Sequence, residues 1–94
     1  MIHKNISVSG KVQGVFFRAA TKAVADQLGI RGYVKNKDDG SVFIEAEGDR
    51  FSMEQFLEWC AEGPEKARVD GVQEENADVC HFKNFEVVKK NFLW

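Results

Sequence analysis

The segment Gly10-Lys11-Val12-Gln13-Gly14-Val15-Phe16-Phe17-Arg18 places an arginine just after a loop framed by two glycines. A phosphoryl group carries about two negative charges near neutral pH and several acceptor oxygens, so it needs many donors converging on one point. Successive backbone amides of Gly14, Val15, Phe16, Phe17 and Arg18 can supply them. Gly14 keeps the main chain clear of side-chain obstruction, and the first turn of a following helix adds free N–H groups and the positive end of its dipole. The Arg18 guanidinium then grips two phosphate oxygens at once. The plainer alternative is a tight strand-to-helix turn with a solvated arginine, because short glycine motifs are promiscuous.

A second stretch, Gly32-Tyr33-Val34-Lys35-Asn36-Lys37-Asp38-Asp39-Gly40-Ser41-Val42, sets Asn36 just before a chain reversal. An asparagine there either closes a turn on its own backbone or reaches outward. Reaching outward, its carbonyl oxygen can accept a proton of a water whose lone pair points at phosphorus.

These groups need elements to hold them. Ile6 and Val8 alternate with Asn5, Ser7 and Ser9, the period of a half-buried strand, which predicts strand one over about residues 4 to 10. Phe17, Ala20, Val24 and Leu28 fall at helical spacing before Gly29, predicting a helix over about 17 to 28. Residues 30 to 36 and 41 to 48 flank an Asp-Gly reversal and read as a hairpin. Met53, Phe56, Leu57 and Cys60 predict a second helix over about 51 to 62, capped by Asp49 or Ser52 and stopped by Gly63-Pro64. Ala67, Val69, Gly71 and Val72 predict a fourth strand that gives way to the polar run 74–78, and Phe85, Val87 and Val88 predict a fifth element. The order is βαββαβ. It implies an α+β, ferredoxin-like sandwich with two helices on one face of an antiparallel sheet of four to five strands, each crossover right-handed.

The 94 residues make one domain, residues 1–94, able to bury roughly 60 to 65% of its unfolded surface. A net charge of −2 and a pI near 5.7 argue against an extended grip on nucleic acid. The RNA-recognition domains share this element order, but strand three, Ser41 to Glu47, lacks their arginine, glycine and paired aromatics. No apolar run approaches a signal peptide or the ~20 residues of a membrane span, so the expected address is the cytoplasm, without membrane contact. Cys60 and Cys80 are too few and too far apart for a zinc framework and read as free thiols toward opposite ends of the domain. His3 and His81 have no second ligand at metal spacing, so no metal site and no cofactor are expected.

Taken together, Gly10-x-Val12-Gln13-Gly14-Val15-x-Phe17-Arg18 and Gly32-Tyr33-Val34-Lys35-Asn36-x-x-x-Gly40-x-Val42 resemble the two signatures of the acylphosphatases. The resemblance implies hydrolysis of the carboxyl-phosphate bond of small acyl phosphates, without metal or covalent intermediate. It matches Arg18 to the family's phosphate-binding arginine, Asn36 to the asparagine that positions the attacking water, and the amides of Gly14 through Arg18 to its phosphate cradle. The partners expected are then a small acyl phosphate and inorganic phosphate, with the chain a monomer. The competing reading is a noncatalytic anion- or protein-binding module on the same fold. The segment Lys89 to Trp94 continues further than the family pattern, where the chain end approaches the arginine.

Overall fold

The computed structural model describes residues 1–89, and the segment 90–94, with most of the tail singled out above, lies outside them. The element order is β1 (Ile2–Lys11), α1 (Phe17–Leu28), β2 (Arg31–Asn36), β3 (Val42–Gly48), α2 (Arg50–Glu62), β4 (Arg68–Ala77) and β5 (Phe85–Val88). The strands form one sheet in the order β4-β1-β3-β2-β5. β1 pairs antiparallel with β3 and β4, and β2 antiparallel with β3. The ferredoxin-like plan is thus present. The sheet is mixed rather than purely antiparallel, because β5 runs parallel to β2 with Gly32 beside Phe85 and Lys35 beside Val88. After β4, the chain crosses to the far edge and enters the fifth position in the direction of β2.

Alternation along the strands sorts the two faces. Ile6 and Val8 of β1, Val34 of β2, and Val42, Ile44 and Ala46 of β3 are fully buried and form a core with Phe17 and Ala25 of α1 and Met53, Phe56 and Cys60 of α2. The buried line of α1 is Phe17, Thr21 and Ala25, one residue over from the stripe read in sequence. Small residues on that line let the helix approach closely, and the buried Thr21 hydroxyl donates to the carbonyl of Phe17 at 2.7 Å. Ala20, Val24 and Leu28 flank it, half-buried. Gly29, with φ 75°, ends α1 by donating its N–H to Ala25 and Asp26. Asp49 is the N-cap of α2 and accepts from the Ser52 amide at 2.7 Å.

β4 does not stop at Val72 but runs through the polar stretch to Ala77, which pairs with His3. At a sheet edge such residues remain wet, and Lys4 of β1 meets Glu74 at 2.8 Å and Asn76 at 2.9 Å. Gly10 marks a shift of register between β1 and β4, with φ 124° and the backbone of Arg68 and Asp70 where a Cβ would stand. Cys60 is buried and Cys80 exposed, both free. Burial pushes the Cys60 thiol up to about 12.

Candidate anion-binding and catalytic site

β1 and β2 both run antiparallel to β3, so they are parallel to each other and end at the same edge of the domain. The register sets Asn36 beside Val42 and Val42 beside Val8, two residues before Gly10. β5, parallel to β2, brings Val88 to that edge too. Three strand ends therefore meet the loop between β1 and α1, and strand pairing alone brings Asn36 to it.

Between β1 and α1 the loop turns on left-handed residues. Gly14 has φ 73°, and an added Cβ would meet no atom within 4 Å among the described residues. Phe16, the residue before α1, has φ 63° and ψ 23°, a conformation that costs a non-glycine residue about 1 kcal/mol or more. Its side chain is 79% exposed. The first bond of the helix runs from the Ala20 amide to the Phe16 carbonyl at 3.0 Å, and no side chain among the described residues caps α1. The amides of Gly14 through Arg18 have no hydrogen-bond partner among the described residues. With no acidic residue in the first turn, nothing in α1 neutralises the positive end of its dipole.

Arg18 is half-buried and Nη1 donates to the Val88 carbonyl at 2.8 Å, which holds the guanidinium at the loop, and its other N–H groups have no partner among the described residues. The side-chain oxygen of Asn36 is buried and accepts no hydrogen bond among the described residues. An orphaned acceptor of that kind costs about 1–3 kcal/mol, and a bound water can satisfy it. Arg18 and Asn36 line two adjoining cavities. One, of about 300 Å³, is bounded by Gln13, Lys37, Asp38 and Lys89 and is mainly polar. The other, of about 310 Å³, is bounded by Val12, Phe16, Ala19 and Val87 and is mainly apolar.

Arg18, Asn36 and the loop residues Gly14 to Phe17 thus lie at one edge of the sheet. Gln13, within the first signature, also belongs to this end of the sheet. Its Nε2 donates to the carbonyls of Lys37 and Ser41, each at 2.8 Å, and so ties the loop to the turn that follows Asn36. A glutamine reaching into a neighbouring turn has no periodicity to betray it. The spacing Gln13-Gly14 before an arginine was the available signal.

The chain matches the acylphosphatase family over residues 4–87. It is 47% identical over 87 residues to the acylphosphatase of Archaeoglobus fulgidus, covering 93% of this chain and 98% of that one. Two crystal or solved structures share the fold closely: the acylphosphatase from Bacillus subtilis, with TM-score 0.91 and 34% identity over 94% of this chain and 99% of that chain, and one from Coxiella burnetii, with TM-score 0.90 and 40% identity over 93% and 92%.

Proposed function

Because this chain belongs to the acylphosphatase family and hydrolyses acyl phosphates to a carboxylate and inorganic phosphate, we propose that Arg18 and Asn36 carry that reaction at the loop edge of the sheet. The substrate phosphoryl group sits on the amides of Gly14 through Arg18, and Arg18 closes over it with the N–H groups not spent on Val88. The Asn36 carbonyl oxygen accepts a hydrogen bond from a water and holds its lone pair toward phosphorus.

As the water oxygen bonds to phosphorus, the bond to the acyl oxygen breaks and its electron pair leaves with the carboxylate. That leaving group has a conjugate-acid pKa near 4, so no general acid is needed, and the water proton passes late to a phosphate oxygen. The cradle and Arg18 stabilise charge on the equatorial oxygens through the transition state. No metal enters these steps. The acyl group rests in the apolar cavity beside Phe16 and Val87.

The observation that carries this reading is the buried Asn36 oxygen, without a partner among the described residues, in the same cavity as Arg18, which stands in the first turn of α1. The net charge of −2 and pI near 5.7 support a protein that does not bind nucleic acid. No helix among the described residues is long and apolar enough to cross a membrane. A monomer in the cytoplasm is the state the composition fits. Benzoyl phosphate hydrolysis with a chelator present tests the reading. Turnover that survives the chelator is expected, whereas phosphate binding without hydrolysis would favour a noncatalytic module.

A further inference from the structure

At the end of the sheet opposite the phosphate loop, on the face without helices, lies a set of side chains that the hydrolysis does not use. His3 of β1 stands across from Glu47 of β3, and Glu45 follows on the same face. His3 is only 2% exposed, covered edge-on by the Phe82 ring at 5.8 Å. Its Nε2 lies 3.0 Å from Glu45 Oε1. Its Nδ1 lies 3.0 Å from Glu47 Oε2 but without the alignment of a hydrogen bond, so this buried nitrogen has no hydrogen-bond partner among the described residues.

Both carboxylates are held by other donors as well. The Tyr33 hydroxyl donates to Glu45 Oε2 at 2.6 Å. Glu47 accepts the backbone amides of Cys80, of His81 at 3.2 Å and of Phe82 at 3.0 Å. Three N–H donors on one carboxylate favour its ionised form.

A neutral imidazole has one N–H and one lone pair. With a carboxylate oxygen 3.0 Å from each nitrogen, either tautomer leaves a lone pair facing an anionic oxygen. A cation on the Nε2 side removes that repulsion. The exposed thiol of Cys80 stands at the gap: one ligating atom each from His3, Glu45 and Cys80 all lie within 4.8 Å of one another. A tetrahedral ion bound at about 2.0–2.3 Å spaces its donors by about 3.3–3.8 Å, so closure draws atoms that lie within 4.8 Å of one another inward by roughly 1 Å. The Cys80 amide on Glu47 already holds that residue at the site.

We propose that His3 Nε2, Glu45 Oε1 and Cys80 Sγ bind a divalent ion of the zinc class, with the fourth position left to water and Glu47 accepting the Nδ1 proton. Nitrogen, oxygen and sulfur donors in this number suit zinc, and the carboxylate behind the imidazole is the usual outer partner of such a histidine. On binding, the thiol S–H bond breaks, the sulfur–metal bond forms and the proton goes to solvent. The ion would pin the segment that links β4 to β5 onto β1 and β3. Its position at the far end of β1 from Arg18 makes it structural, so the hydrolysis stays metal-independent.

The reduced, metal-stripped full-length chain should be titrated with Co²⁺ by absorbance and with Zn²⁺ by calorimetry. Binding of one ion is expected, with a thiolate-to-cobalt charge-transfer band, about one proton released and a raised Tm. Cys80→Ser, at an exposed position, should abolish the band and weaken Zn²⁺ binding at least about tenfold. His3→Gln should weaken it as well, and benzoyl phosphate hydrolysis should be unchanged by stripping. Absence of saturable binding, as when a second ring proton alone satisfies both carboxylates, would overturn the proposal. So would binding that persists undiminished in Cys80→Ser.

Discussion

Arg18, in the first turn of α1, and Val88, at the end of β5, are joined by a 2.8 Å hydrogen bond from the guanidinium to the backbone carbonyl. The parallel pairing of β5 with β2 is what carries that carbonyl to the loop edge. The last strand therefore serves the site by orienting its arginine.

Replacing Arg18 with lysine keeps a positive charge but cannot both bond Val88 and present a planar fork to phosphate. Arg18→Lys is expected to retain the fold and to raise the inhibition constant for inorganic phosphate by about tenfold or more. Competitive inhibition assays against wild-type protein check it, and an unchanged constant removes Arg18 from phosphate binding.

Gln13 joins the loop to the turn after Asn36 through two 2.8 Å bonds. Gln13→Ala is expected to cost about 1–2 kcal/mol in stability by leaving carbonyls unpaired. It should also lower kcat/KM by about tenfold, since a displacement of about 1 Å between cradle and water is enough. Chemical denaturation and steady-state kinetics separate the two effects.

Phe16 combines a left-handed backbone with a side chain that is mostly solvent-exposed. Phe16→Gly removes the backbone strain and is expected to be neutral or to stabilise the fold by up to about 1 kcal/mol. At the same time it strips the apolar cavity of its outer wall, so the preference for benzoyl over acetyl phosphate should shrink. Destabilisation with an unaltered preference would contradict both assignments.

The Asp49 carboxyl is held below the usual carboxylate range by the Ser52 amide and hydroxyl at the start of α2. Since its folded pKa lies below the unfolded value, its contribution is complete above the unfolded pKa and is lost as pH falls through the folded one. Asp49→Asn keeps a capping side chain without the charge. The Tm difference between wild type and this variant is therefore expected to be largest near neutral pH and to close at low pH. A difference independent of pH would exclude the charge.

Much of this was legible in the residues. Period and breaker residues bounded α1 between Phe17 and Gly29, and the Asp-Gly reversal set β2 and β3 either side of the turn. The two glycine-framed motifs single out Arg18 and Asn36, and the fold brings both to the same pair of cavities, while their roles belong to the proposed reaction. The extension of β4 through Glu74 and Glu75 was hidden, because an edge strand is stabilised by partners such as Lys4 that lie far away in sequence. The parallel placement of β5 was hidden for a similar reason: a short apolar run does not declare its direction. His3 looked isolated, since Glu45, Glu47 and Cys80 reach it only through strand register and the turn of the loop after β4.

The role proposed for Asn36 is to position the attacking water. It is tested most directly by kcat for benzoyl phosphate in folded Asn36→Ala, with the inhibition constant for inorganic phosphate measured alongside. A fall in kcat of about 10² or more, with phosphate affinity nearly unchanged, is the predicted result. Wild-type turnover in that variant would remove Asn36 from the reaction.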